Sequence, residues 1–209
     1  MNHLVMIADI IGSRKLDNRD AVQSRLEAQL EALNSSREHL LSPYTITLGD
    51  EFQAVFDNAA RIFPDVLSLM SALHPVGLRF AFGIGPIATA INTLQAIGMD
   101  GPAFYQARDL LERMKKQDLM VAISGLPQDD GLLDAALGLL NHQLRKWRPN
   151  RLDVLRGLLL GQAISEIAGR LDITEQSVYK NIRDGELDSV IKLIHTLTER
   201  MNSALPGQR

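Results

Sequence analysis

Apolar and polar positions divide the first 124 residues into short apolar runs and longer stretches with apolar residues three or four positions apart. The short runs predict strands over 4–11, 44–48, 52–56, 78–84 and 119–124, and the longer stretches predict helices over 20–41, 58–73 and 103–116. Asn58 is the predicted cap of the second helix. The first six elements have the β-α-β-β-α-β order of ferredoxin-like folds, which predicts an α+β class for this part.

The rest of the chain has a helical pattern and predicts helices over 132–147, 150–160, 164–171, 175–184 and 186–203. Pro149 disfavours helical geometry at Arg148, and Asn150 is suited to cap the next helix. We therefore predict a boundary here. Residues 1–148 would form a palm-like domain with a linking helix, and residues 149–209 an all-α domain that ends in a long helix.

Composition excludes several classes of protein. Hydrophobic residues make up 45% of the 209 residues and charged residues 22%, which is typical of a globular protein. The chain has 0 cysteines, so disulfides, thiolate metal sites and cysteine nucleophiles are excluded. No apolar run is long enough to span a membrane, and the first residues lack the pattern of a signal peptide. We expect a cytoplasmic protein without membrane insertion.

The net charge of −3 is unevenly distributed. Residues 143–209 contain 11 Lys and Arg against 8 Asp and Glu, whereas residues 1–142 contain 11 against 17. A basic C-terminal region beside an acidic region suggests nucleic acid as a partner, although a difference of this size also arises by chance.

Two acidic positions in the predicted sheet are candidates for a metal site. Asp9 lies in an otherwise apolar strand, and Asp50 and Glu51 lie at a hairpin tip. The first strand of a split β-α-β sheet is central, and the first hairpin strand is expected beside or near it. Converging carboxylates there would bind Mg²⁺. Alternatively, Asp50 only makes the turn, and Asp9 caps the chain or pairs with Arg14 or Lys15.

Three segments carry a resemblance to known enzymes: ADIIGS at 8–13, TLGDEFQAVF at 47–56 and RFAFGIG at 79–85. They resemble motifs of class III nucleotide cyclases and diguanylate cyclases, so the resemblance covers residues 1–124 and implies a cyclase-like palm domain. More narrowly, the chain resembles the SatD family, whose members pair such a region with a C-terminal helix-turn-helix.

The cyclase resemblance implies roles for particular residues. It places Asp9 and Asp50 at the metal-ligand positions and Arg108 at the arginine that stabilises the transition state, which leaves Phe104 where cyclases have asparagine. That departure argues against catalysis. The residues implied or suited to bind a nucleotide are Gly12, Ser13, Arg14, Lys15 and Arg108.

The segments 164–171 and 175–184 predict two short helices joined by a tight turn, with Thr174 as the cap of the second. With Val178 and Ile182 packed inward, the second helix presents donors suited to bases and phosphates in the major groove. The stretch 161–183 resembles the helix-turn-helix of LuxR-type regulators and sigma factors. A three-helix packing module with a basic surface is the alternative. The candidate DNA-binding residues are Gln176, Ser177, Tyr179, Lys180, Asn181 and Arg183.

The last predicted helix has an apolar stripe from Leu187 to Met201 that either docks on the other helices or pairs with a second copy; we expect a homodimer. The main functional hypothesis is a transcriptional regulator that binds double-stranded DNA, with a catalytically degenerate palm domain that senses a nucleotide. The alternatives are a Mg²⁺-dependent nucleotide cyclase or nucleotidyl transferase that uses Asp9 and Asp50, and a protein-interaction module.

Overall fold

A computed structural model of the chain describes residues 1–36, 39–126 and 131–205. The strands are β1 (Asn2–Ile10), β2 (Leu40–Leu48), β3 (Glu51–Phe56), β4 (Leu78–Pro86) and β5 (Val121–Ser124). The helices are α1 (Arg19–Asn34), α2 (Ile62–Leu73), α3 (Pro102–Gln117), α4 (Leu132–Lys146), α5 (Pro149–Leu159), α6 (Ile164–Leu171), α7 (Glu175–Asp184) and α8 (Leu187–Ala204). The predicted β-α-β-β-α-β-α-β order of the first part and its α+β class are confirmed.

The five strands form one mixed sheet in the order β2-β3-β1-β4-β5. Strand β1 is central and antiparallel to both neighbours, while β4 and β5 pair in parallel. The second strand of the hairpin, β3, lies beside β1, and the first hairpin strand, β2, lies near it, one strand farther out. The antiparallel register pairs Asp9 with Glu51 on one side and with Arg79 on the other.

Alternate residues of β1 enter different cores. Leu4 and Met6 join the larger core, which includes α1 and α2, and Val5 and Ile7 pack with α3 on the opposite face. Because side chains alternate between the faces of a strand, Asp9 projects to the face covered by α3. A Cβ on Gly83 would overlap the carbonyl oxygen of Ala103, so glycine at this position allows α3 to lie close to the sheet.

The bounds of several helices differ from prediction, most of all those of α1 and α2. Helix α1 ends at Asn34, whose side chain pairs with the backbone N–H and C=O of Tyr44 at 2.8 and 2.9 Å, and the leucines at 40 and 41 belong to β2. Asn58 does not cap α2, because it lies four residues before the first helical residue, Ile62, and its Oδ1 accepts from the N–H of Ala60. Helix α5 begins one residue early, with Arg148 as its cap residue.

The C-terminal helices pack on the sheet-containing part of the chain. Helix α5 lies against α2, and the Ser71 hydroxyl donates to the Asp153 carboxylate at 2.6 Å. At the far end of α8, the N–H of Ala59 donates to Asn202 Oδ1 at 2.7 Å. The boundary between 148 and 149 stays a prediction, and the buried core runs across it without interruption.

The apolar stripe of α8 is buried within the same chain. Leu187, Ile194, Leu197 and Met201 are each at most 3% exposed. Of the two alternatives for this stripe, the structure shows docking on the other helices, since α5, α7 and the core cover it, and the homodimer stays a prediction. Among the helices within the described residues, none is long and apolar enough to cross a membrane.

Candidate functional site

The end of β1 and the β2–β3 turn meet at one edge of the sheet. The N–H of Ile10 donates to the carbonyl oxygen of Asp50 at 3.0 Å, and the buried Ser13 hydroxyl donates to the Asp50 carboxylate. Gly12 has a φ of 69°, a left-handed conformation that starts the short 3-10 helix Ser13–Lys15. The structure thus brings Asp9, Asp50 and the Gly12 loop to the same edge. These residues, together with Glu51, Arg79, Arg108 and Lys115, are called the sheet-edge cluster below.

Asp9 is held by two cations from the same chain. Its Oδ1 lies 3.3 Å from the Arg79 guanidinium and its Oδ2 3.7 Å from Lys115 Nζ, with only 10% of its side chain exposed. Asp9 thus pairs with Arg79 and Lys115 rather than with Arg14 or Lys15. Burial raises the pKa of the Asp9 carboxyl above its ordinary value, against the opposing effect of the two cations.

Glu51 and Arg108 form a two-point ion pair beside Asp9. One guanidinium nitrogen lies 2.7 Å from Glu51 Oε1, and the other contacts Oε2. The hydrogen bond to Glu51 raises the pKa of Arg108 above its ordinary value. Phe104 is 8% exposed and packs in the α3 core. Arg108 is therefore occupied within the chain, and Phe104 offers no polar group to a ligand.

The residues at this edge do not fit a resident Mg²⁺ as they are arranged. Mg²⁺ would compete with Arg79 and Lys115 for Asp9 and with Ser13 for Asp50. Within residues 1–36, 39–126 and 131–205, no group of three or more His, Asp or Glu side chains is placed to hold a metal ion. The assignment of Asp9 and Asp50 as metal ligands stays a prediction, and we derive no catalytic step through a metal.

Sequence reasoning found Arg108 but missed Arg79 and Lys115, the two cations that contact Asp9. Lys115 lies seven residues after Arg108, which places the two side chains two turns apart on one face of α3. Arg79 is a charged residue in an otherwise apolar strand, as Asp9 is. This similarity could have predicted that the two residues pair. Arg19 Nη2 also lies 3.0 Å from the place where a Gly49 side chain would begin, so it covers the hairpin turn.

Two of the predicted nucleotide-binding residues remain available to a ligand. Arg14 and Lys15 are exposed, and in the described part of the chain neither forms an ion pair. They follow Gly12 directly, so two free cations border the sheet-edge cluster.

Helix α7 has one buried face and one polar face. Val178 is fully buried and Ile182 is half-buried against the core. Thr174 Oγ1 accepts from the N–H of Ser177 at 3.1 Å, which confirms the predicted cap. The exposed side chains of the opposite face are Gln176, Tyr179, Lys180 and Arg183.

The other two candidate DNA-binding residues are engaged within the helix. Asn181 Nδ2 donates to the carbonyl oxygen of Ser177 at 2.9 Å, and the Ser177 hydroxyl bonds to Thr174 Oγ1 at 2.9 Å. Both side chains are half-buried. They contribute less to the free polar surface of α7 than the sequence predicts.

Helices α6 and α7 are joined by a short turn. Asp172 has a left-handed φ of 52°, and the N–H of Ile173 donates to the carbonyl oxygen of Ala168 at 3.1 Å, which ends α6 sharply. The start of α6 lacks a hydroxyl cap, but Glu166 Oε2 accepts from the N–H of Ala163 at 2.9 Å. This bond supplies half of a capping box and compensates for the missing cap.

Comparison with known proteins gives one family. Among solved structures, the chain is similar to a bacterial light-regulated adenylyl cyclase, with 16% identity and a TM-score of 0.46, over 59% of this chain and 75% of that one. It is also similar to the catalytic core of a rhodopsin-guanylyl cyclase with converted specificity in complex with ATPαS, with 15% identity and a TM-score of 0.38, over 62% of this chain and 89% of that one. No curated protein matches the chain.

A family model described as the SatD family matches residues 3–196. The match covers most of the chain, which therefore belongs to the SatD family.

Proposed function

We propose that this chain binds double-stranded DNA, with α6 and α7 as a helix-turn-helix and α7 as the helix that enters the major groove. One observation carries the proposal: the face of α7 opposite the buried Val178 exposes Gln176, Tyr179, Lys180 and Arg183. A helix in the major groove needs donors on the side away from its own core, and α7 carries them there.

The chemistry of each exposed group indicates its role. Gln176 lies in the first turn of α7, where an amide reads the edge of adenine through paired hydrogen bonds. Lys180 and Arg183 are cations that bind phosphate oxygens or the acceptors of guanine. Among the described residues, the one ion pair that involves them joins Arg183 to Asp184 at 3.4 Å; it is solvent-exposed and therefore easily exchanged for a phosphate.

The experiment is selection of duplexes from a randomised pool with the purified full chain, followed by binding measurements on the enriched sequence. We expect Gln176→Ala to relax sequence preference, because it removes a base contact worth about 1–3 kcal/mol of discrimination. Lys192→Ala, an exposed lysine on α8, is the matched control and should bind as wild type. Absence of enrichment together with absence of binding at low salt would overturn the proposal.

A second candidate function is binding of a nucleotide by the N-terminal part, and one observation favours it. Arg14 and Lys15 are exposed and unpaired within the described residues, beside the left-handed Gly12. Such a loop offers backbone N–H groups and two cations to phosphates. The palm region would then sense a nucleotide and be catalytically degenerate, because Phe104 replaces the asparagine of the cyclases.

A thermal-shift titration with ATP and GTP tests this second function, since a ligand that binds only the folded chain raises its Tm. We expect a rise that the double variant Arg14→Ala, Lys15→Ala abolishes and that Lys192→Ala leaves intact. Parallel titrations with and without Mg²⁺ show whether the metal takes part. No rise with either nucleotide would remove the sensor hypothesis, and detection of a cyclic nucleotide product would contradict the degenerate assignment.

A further inference from the structure

A basic cavity lies beside α7, outside its exposed polar face. It has a volume of about 590 Å³ and is formed where α4 ends, α5 begins and α7 passes. Its lining residues are Lys146, Arg148, Pro149, Asn150, Arg151 and Asn181.

The lining contains three cations and no carboxylate. Lys146 and Arg148 are exposed and Arg151 is half-buried, and in the part of the chain that the structure describes none of the three forms an ion pair. Like charges held around one concavity repel each other, and an anion in that concavity relieves the repulsion. The chemistry of the cavity is therefore that of a phosphate site.

Arg151 is held in place rather than free in solvent. Its guanidinium carbon lies 6.0 Å from the centre of the Trp147 ring, and its Nε is buried without a partner. Its Cδ lies 2.9 Å from the place where a Gly185 side chain would begin, so glycine at that position leaves room for the arginine stem. A cation fixed by packing loses little freedom when it binds an anion.

The position of the cavity identifies the source of the phosphate. Asn181 belongs to α7 and lines the cavity, so an anion there lies next to the helix that would enter the major groove. We propose that the cavity binds a phosphodiester of the DNA backbone when α7 occupies the groove. This inference rests on the proposed DNA-binding function. It extends the contact to Lys146 and Arg148, across the predicted boundary between 148 and 149.

The test compares the full chain with the double variant Lys146→Ala, Arg148→Ala on the enriched duplex at several salt concentrations. Each phosphate contact contributes about 0.9 to the slope of log K against log salt, so the variant's slope should be flatter by about two. Its preference among sequences should not change. The double control Lys192→Ala, Arg200→Ala removes two exposed cations of α8 and should keep the wild-type slope.

Neutral methylphosphonates placed singly along the duplex identify the source of the phosphate. We expect particular substitutions to weaken wild type and to leave the double variant unaffected. If wild type binds no DNA, the proposed function itself fails. If wild type binds but the double variant keeps its slope, or if inorganic phosphate competes while no methylphosphonate has an effect, DNA binding stands and the cavity is not a backbone site.

Discussion

The sheet-edge cluster and the C-terminal basic surface are both rich in charge, but they use it in opposite ways. At the sheet edge, Asp9 and Glu51 each contact a cation of the same chain. On the C-terminal surface, Lys146, Arg148 and Lys180 have no acidic partner among the described residues. Charges paired inside the chain are already engaged with each other, whereas unpaired cations remain available to a partner.

The difference in burial explains why the two surfaces respond differently to mutation. Removing one member of a buried ion pair leaves the other charge desolvated and unpaired, which costs several kcal/mol. Removing an exposed cation changes the stability of the folded chain little. Substitutions at the sheet edge should therefore affect folding, and substitutions on the basic surface should affect binding.

The largest effect is expected where the C-terminal helices, which carry the basic surface, pack on the sheet-containing part of the chain. Leu155 is fully buried in α5, the helix that packs on α2, so Leu155→Ala should lower the free energy of unfolding by about 2–5 kcal/mol. Because the core is continuous across this contact, Trp147 fluorescence and far-UV circular dichroism should show one coincident transition in urea. Two separate transitions would show that the sheet-containing part and the C-terminal helices fold independently, as two domains.

Asp9→Ala is the next largest expected effect. It leaves Arg79, whose side chain is 12% exposed, without its carboxylate, which should cost about 3 kcal/mol of stability. Asp109→Ala, an exposed carboxylate on the same helix as Lys115, is the matched control and should stay within about 0.5 kcal/mol of wild type. Equal urea midpoints for the two variants would show that the cluster does not stabilise the fold.

On the basic surface, Lys180→Ala and Arg183→Ala should each weaken DNA binding, by about 1–3 kcal/mol where the lost contact is to a base and with a salt slope flatter by about one where it is to a phosphate. Their unfolding curves should coincide with that of wild type, because both side chains are exposed. Fluorescence anisotropy with the enriched duplex measures the first quantity and urea unfolding the second. A variant that loses stability and keeps its affinity would reverse the assignment of the two surfaces.

The smallest expected effect concerns pH. Burial raises the pKa of Asp9 in the folded chain, so its protonation stabilises the fold below the unfolded pKa, and this contribution is lost as the pH rises through the folded pKa. Wild type should therefore lose stability relative to Asp9→Asn as the pH rises above the ordinary aspartate pKa of about 3.9. Urea unfolding at intervals upward from this pH measures the difference, and a relative gain by wild type would contradict the raised pKa.

The sequence alone predicts the bounds of those elements that are defined by a local pattern of residues. The bounds of α6 and α7 agree with prediction because capping residues and apolar spacing within each segment define them. The prediction that the first helix extends to residue 41 is wrong, because Leu40 and Leu41 fit the apolar stripe of a helix as well as they fit a strand. Only the pairing of Leu40 with Phe56, across the sheet, selects the strand.

The partners of Asp9 were beyond local reasoning. Lys115 reaches Asp9 across more than a hundred residues of sequence, and it does so because α3 covers one face of the sheet. For a similar reason, the sequence left two partners open for the α8 stripe, the other helices of the chain or a second copy. An apolar stripe indicates that it will be covered, but the tertiary packing decides by what.

The central claim is that the cations of the C-terminal surface bind DNA, and a salt titration of wild-type affinity for the enriched duplex tests it most directly. Five cations are placed to contact phosphates: Lys146, Arg148, Arg151, Lys180 and Arg183. If all five do so, the slope of log K against log salt should be about −4 to −5. Binding that is absent at low salt, or whose slope is near zero, would contradict the account.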